Sequence, residues 1–224
     1  AEKTAAQTSE PVFEEFDRWL RAYESAGFRA ETEQENIGRE LAVKRLARLK
    51  QLIRTDPQTA LENAIPADIY DRLPAFISEN SEKRISAQGD FLVYAVEAID
   101  RPNGQMTAAR TDRFVRFGEK IYEAQVYGRR AAMTTKFDIP LQGVIIGESI
   151  ILDENPARRI SAAEFAARNI DPAAIADAGI AAEIGGKINY FSSENEFDAF
   201  VRRQIEWESK IGPKRRAQAE ASAA

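Results

Sequence analysis

Residues 113–127 read RFVRFGEKIYEAQVY, two strand-like runs joined at Gly118-Glu119-Lys120. Ile121, Glu123 and Gln125 alternate with Tyr122, Ala124 and Val126, the period of two that marks a half-buried strand. Outward from this hairpin the strand signals continue on both sides. Phe91 to Val96 is a further apolar run, followed by Asp100-Arg101-Pro102-Asn103-Gly104, which has strong turn chemistry. Thr134 to Ile139 reads as a strand that Pro140 ends, and Val144 to Ile146 and Ser149 to Leu152 flank a turn or bulge at Gly147-Glu148. Short strands with glycine turns predict a small antiparallel β-barrel-like sheet, or one strongly bent sheet.

The flanks read as helix. Pro11 suits a first helical turn, and Phe13, Phe16, Leu20 and Tyr23 follow at helical spacing with Trp19 alongside, up to Gly27. A second helix is expected from about Asn36 to Arg54, with Ala42, Leu46, Leu49 and Ile53 buried and Lys44, Arg45 and Arg48 on another face. Asp56-Pro57 caps and starts a short helix running to Ala64. Pro66 and Pro74 break the stretch from Ile65 to Phe76 into turns and a short helix at Ala67 to Leu73. Beyond residue 160, Ser161-Ala-Ala-Glu164 and Ser193-Glu-Asn-Glu196 are capping boxes. Asp171-Pro172 starts an Ala-rich helix that Gly179 caps, and Lys187 to Phe191 is a candidate strand. Phe197, Phe200, Val201 and Ile205 form the buried face of a last helix, which Trp207 extends and Gly212-Pro213 stops. The expected class is α+β. A helical subdomain covers 1–88, the β subdomain 89–160, a helical segment packing back 161–212, and a linker or tail 213–224.

Absences narrow the chemistry. The 224 residues contain no histidine and no cysteine, which removes the usual proton shuttle, the usual thiolate nucleophile and the commonest ligands of zinc, haem and iron–sulfur clusters. No Asp-x-Asp-x-Asp calcium spacing and no glycine-rich phosphate loop occurs. The expectation is therefore no cofactor, no metal and no catalytic residue. A net charge of −5 argues against nucleic acid as a partner, and no apolar run is long enough to span a bilayer. The start, Ala1 to Gln7, lacks an initiator methionine; it reads as the product of signal-peptide removal or as a shortened chain. The first of these places the protein outside the cell or in the periplasm.

Two basic clusters are the candidate partner-binding residues. Tyr127-Gly128-Arg129-Arg130 sets two guanidiniums beside a flexible glycine, able to hold a carboxylate or phosphate. The plainer reading has Gly128 in a turn and Arg129 and Arg130 paired with acidic neighbours at the sheet rim. Lys44, Arg45 and Arg48 are either a solvated helix face or a partner site. Asp138, Glu148, Asp153 and Glu154 gather in the sheet region, and paired carboxylates are what a glycoside hydrolase needs. The exposed aromatic platforms of a sugar site are not evident in the sequence, since the aromatics fall where a core needs them.

Several motifs carry a resemblance. They are Asp56-Pro57-Gln58-Thr59-Ala60-Leu61 with Ala64-Ile65-Pro66, Arg72-Leu73-Pro74 and Gly89-Asp90-Phe91. Further along come Val126-Tyr127-Gly128-Arg129-Arg130, residues 135–143 (TKFDIPLQG) and Glu154-Asn155-Pro156-Ala157-Arg158-Arg159. From about Leu46 to Ile211 the chain resembles an N-terminal module of large secreted proteins of verrucomicrobia and planctomycetes, some of which carry downstream zinc metalloprotease domains. The resemblance implies a non-enzymatic prodomain or scaffold that binds its own downstream domain or a partner, for folding, latency or attachment. The His-Glu-x-x-His motif of such proteases is missing, so any protease activity lies outside this chain. A free-standing structural or adaptor subunit of an extracellular assembly is the alternative, and a carboxylate-based hydrolase the third. On the leading reading, charge reversal at Arg129 and Arg130 weakens partner binding and leaves thermal unfolding unchanged.

Overall fold

The computed structural model describes residues 10–27, 32–97, 108–168 and 179–210. The chain divides into two compact units, Ala1–Glu82 and Lys83–Ala224. The expected division at residue 88 rests on the first apolar run of β character, whereas the change to strand comes at Lys83.

In the first unit, α1 (Pro11–Ser25) and α2 (Thr32–Thr55) lead to three short helices, α3 (Pro57–Glu62), α4 (Ala67–Tyr70) and α5 (Ala75–Ser78). Helix α1 buries Phe13, Phe16, Trp19, Leu20 and Tyr23, the spacing of one continuous stripe. Trp19 stacks on Tyr23 with ring centres 5.0 Å apart, and its Nε1 donates to the Gln34 carbonyl at 3.0 Å. Gly38 of α2 lies against this ring, and a Cβ there would overlap it. The glycine thus sets how closely α2 approaches α1. Helix α2 buries Gly38, Ala42, Arg45, Leu49, Leu52 and Ile53. Leu46, an expected member of the stripe, is only half-buried. Asp56 caps α3, accepting from the Thr59 amide at 3.0 Å and the Thr59 hydroxyl at 2.7 Å. Pro66 and Pro74 each precede a single-turn helix, so the expected helix to Leu73 ends at Tyr70.

The second unit is built on a closed five-stranded barrel. Its strands are β1 (Lys83–Val96), β2 (Arg110–Phe117), β3 (Lys120–Gln125), β4 (Lys136–Ile146) and β5 (Ser149–Leu152), with the one-turn helix α6 (Gly128–Ala131) between β3 and β4. Around the barrel the order is β1-β2-β3-β5-β4, and β4 pairs back with β1. Three successive neighbours with a fourth strand returning beside the first is a Greek key, and five such strands in a barrel is the arrangement of the OB-fold. The α+β expectation holds, with one refinement. Closure runs through a parallel pair, β3 with β5, while the other pairings are antiparallel. Strand β1 starts earlier than its apolar run because residues 83–89 pair with β4, from Lys83 opposite Ile145 to Gly89 opposite Ile139. Strand β4 runs through Pro140, which sits opposite Gln88 just before the register shift at Gly89/Phe91. Phe91, Val115, Ala124, Ile139, Leu141, Ile150 and Leu152 fill the interior.

A second sheet, β6 (Ala157–Arg159), β7 (Ile180–Ile184) and β8 (Lys187–Phe191), is antiparallel and carries α7 (Ala162–Ala167) and α8 (Glu194–Lys210). The stretch 161–212 is therefore mixed rather than helical. The helix expected from Asp171 and the tail at 213–224 lie outside the described residues. Both serine caps form, Ser161 Oγ accepting from the Glu164 amide at 3.1 Å and Ser193 Oγ from the Glu196 amide at 3.3 Å. Neither glutamate reaches back as a capping box requires. Glu196 turns to the Ser192 amide at 2.8 Å, and Glu164 is drawn to Arg158, which it meets with both oxygens at 2.7 and 2.8 Å. Burial pushes the Glu164 carboxyl up, but the hydrogen bond and charge of Arg158 prevail and hold it below its ordinary range.

Candidate functional site

Arg129 and Arg130 lie in α6, where Gly128 takes a φ of 52° to start the turn. This left-handed position favours glycine. The space argues the same way, because a Cβ at Gly128 would run into the Glu154 carboxylate. Glu154 Oε2 accepts the Arg129 amide at 3.1 Å, and the Glu154 carbonyl accepts from Arg129 Nε. Arg130 is fully buried and donates through Nε to the Asp153 carbonyl at 2.5 Å. Both guanidiniums then meet one carboxylate from α8. Glu208 Oε2 lies 2.7 Å from Arg129 Nη1 and 3.9 Å from Arg130 Nη1, and the Glu208 side chain is itself fully buried. Burial pulls the Arg130 guanidinium down to about 10, against the attraction of Glu208. Burial also pushes the Asp153 carboxyl above its ordinary range. The two arginines thus hold internal carboxylates and carbonyls, and with Glu208 in place Arg130 is closed to an outside partner.

The other basic candidates divide. Arg45 is 2% exposed and paired inside the first unit with Glu82, which removes it from any contact surface. The sequence places it on a basic face, but it stands between Ala42 and Leu49 in the buried stripe. Arg48 is half-buried and forks onto Glu10 at 2.5 and 2.6 Å. Lys44 is exposed. Of the four sheet carboxylates, those of Asp153 and Glu154 bind neighbouring backbone or side-chain groups. The amide of Asp138 donates to Asp90 Oδ1 at 2.9 Å, Asp153 Oδ1 accepts the Asn155 amide at 2.9 Å, Glu154 holds Arg129, and Glu148 is exposed. Among the described residues no group of three or more carboxylates is placed to hold a metal ion, and no helix is long and apolar enough to cross a membrane.

One surface escapes the sequence reading. Since Phe91, Val115 and Ala124 point into the barrel, the alternate residues of β1, β2 and β3 point out. These include Tyr94 and Ile121, which are 53% and 58% exposed. Phe114 stands edge-on to Tyr94 with ring centres 5.9 Å apart. Next to Phe114 is a cavity of about 460 Å³ whose lining includes Arg110, Asp112, Glu123, Ala124 and Val126. Around the aromatic pair the charges alternate in sign, with Arg110 on Asp112 and Arg116 on Asp90. The alternation of Ile121 with Tyr122 is visible in the sequence, but which side faces the core is not. No family model, curated protein or solved structure matches the chain.

Proposed function

We propose that the chain is a non-catalytic binding module, the N-terminal or pro-region of an exported protein, and that it docks a protein on the outer β1–β2–β3 face. That protein is its own downstream domain or an assembly partner. The observation that carries this reading is that the Tyr94–Phe114 pair and Ile121 share the outer side of a closed barrel, where solvent-facing positions ordinarily take polar residues. The charges nearby are of both signs and already matched with one another. Such a rim suits another protein surface better than a polyanion, and the net charge of −5 weighs the same way. The OB-type barrel supports the location by fold analogy alone.

A double variant tests it. Tyr94→Ser with Ile121→Lys, introduced into the whole gene in its natural source, is expected to weaken association with the partner or downstream domain at least about tenfold by native mass spectrometry. Both side chains are exposed, so thermal unfolding should move little. Unchanged association would remove this face. A retained companion from the same precursor marks a pro-region, and a separately encoded chain marks an adaptor subunit.

A further inference from the structure

Helix α8 buries two side chains in seventeen residues, Phe197 near its start and Glu208 near its end. The start is held by an apolar cluster, with Phe197 and Phe200 centred 5.4 and 5.3 Å from Phe191. From residue 202 to the end of the helix Glu208 is the sole buried side chain. A carboxylate in the last turn opposes the helix dipole, so the position is unfavourable for the helix itself. Its partners on the barrel explain it. Glu208 meets Arg129 at 2.7 Å, and Lys136 Nζ donates to the Ser209 carbonyl at 3.3 Å.

The match is incomplete. Arg129 Nη2, Arg130 Nη2 and Glu208 Oε1 are all buried with no hydrogen-bond partner. A guanidinium and a carboxylate at best join by two parallel hydrogen bonds, whereas Glu208 uses one oxygen for two guanidiniums. The arginine pair offers more donors than this occupant takes up, and Arg130 offers them from a fully buried side chain.

We infer that Arg129 and Arg130 form a two-guanidinium carboxylate site, occupied internally by Glu208, and that the last turns of α8 are its releasable cover. Opening those turns leaves the Phe197 end docked, hydrates Glu208 and presents both guanidiniums to an external carboxylate, such as an acidic side chain or a peptide C-terminus. Segments held by few buried contacts open locally without global unfolding. This site is separate from the β1–β2–β3 face and stands or falls independently of it.

Hydrogen exchange on the full chain tests the inference, with glutarate as the probe and inorganic phosphate as the second arm. In the wild type, amides of 203–210 are expected to exchange faster than those of β4 by a denaturant-independent opening. Glu208→Gln should speed 203–210 at least about tenfold and keep them faster than β4. Glutarate should then protect residues 127–133 in Glu208→Gln at concentrations at least about tenfold lower than in the wild type. Wild-type exchange of 203–210 at the rate of β4 would overturn the inference even if the variant did not fold. Protection by phosphate alone, or by neither probe, would overturn it as well.

Discussion

Glu82→Ala is expected to cost the helical unit about 3–5 kcal/mol, the range for removing one member of a buried ion pair. Glu82 and Arg45 have side chains 0% and 2% exposed. Arg45 Nη1 and Nη2 donate to the two Glu82 oxygens at 2.5 and 2.8 Å, and the Ile65 amide donates to Oε1 at 2.6 Å. The guanidinium also lies over Phe16, 5.1 Å from its ring centre, and donates to the Asn63 carbonyl at 2.5 Å. Without Glu82 a charge stays in this core with no counter-charge, and the loss is a large share of a domain stability of about 5–15 kcal/mol. The thermal melt observed through buried Trp19 should fall accordingly. A melt equal to the wild type would show that the pair is not closed.

The same carboxylate gives the unit an acid limit. Burial pushes Glu82 up, but the charge and hydrogen bonds of Arg45 and the Ile65 amide outweigh it, leaving the folded group below its ordinary 4.5. A carboxylate depressed in the folded state contributes stability that is present above its unfolded value and lost as pH falls through the folded one. Stability of this unit should therefore drop as the solution is acidified below about pH 4.5, and Glu82→Gln should flatten that slope.

Arg130→Glu is the second large effect. It sets a new buried carboxylate beside Glu208 and Asp153, with the Nε bond to the Asp153 carbonyl gone. Removing one charge of a buried pair costs about 3–5 kcal/mol, and reversing it exceeds that. The barrel unit is expected to lose its cooperative melt. The outcome expected from the sequence, weaker binding at unchanged stability, is replaced for Arg130 because no part of its side chain reaches the surface. A wild-type melt for Arg130→Glu would contradict this account of α6.

Legibility in the sequence tracks the range of the interactions. The β2–β3 hairpin is legible because Gly118 and the alternation from Ile121 to Val126 are local signals. Residues 83–88 (KRISAQ) carry no strong strand pattern, and they become strand by pairing with β4 more than fifty residues away, Ser86 opposite Gln142. Pro140 reads as a stop because its missing amide weakens a ladder, but it sits next to a register shift that tolerates it. Arg45 is legible in principle. It keeps the helical spacing between Ala42 and Leu49, yet a charge in a stripe is ordinarily assigned to solvent. Glu208 is not legible, since the contact that gives it meaning joins residues 79 apart. The exposed side of β3 is legible only once it is known which side of the strand is inside.

The most direct measurement of the central claim is photo-cross-linking from the outer barrel face in the protein's natural source. A photoreactive residue in place of Ile121 should yield one defined adduct, to another segment of the same precursor or to one partner chain. The same residue in place of Lys50, exposed on α2, should not yield it. No adduct at position 121 above that at position 50 would contradict the assignment of the β1–β2–β3 face as the binding surface.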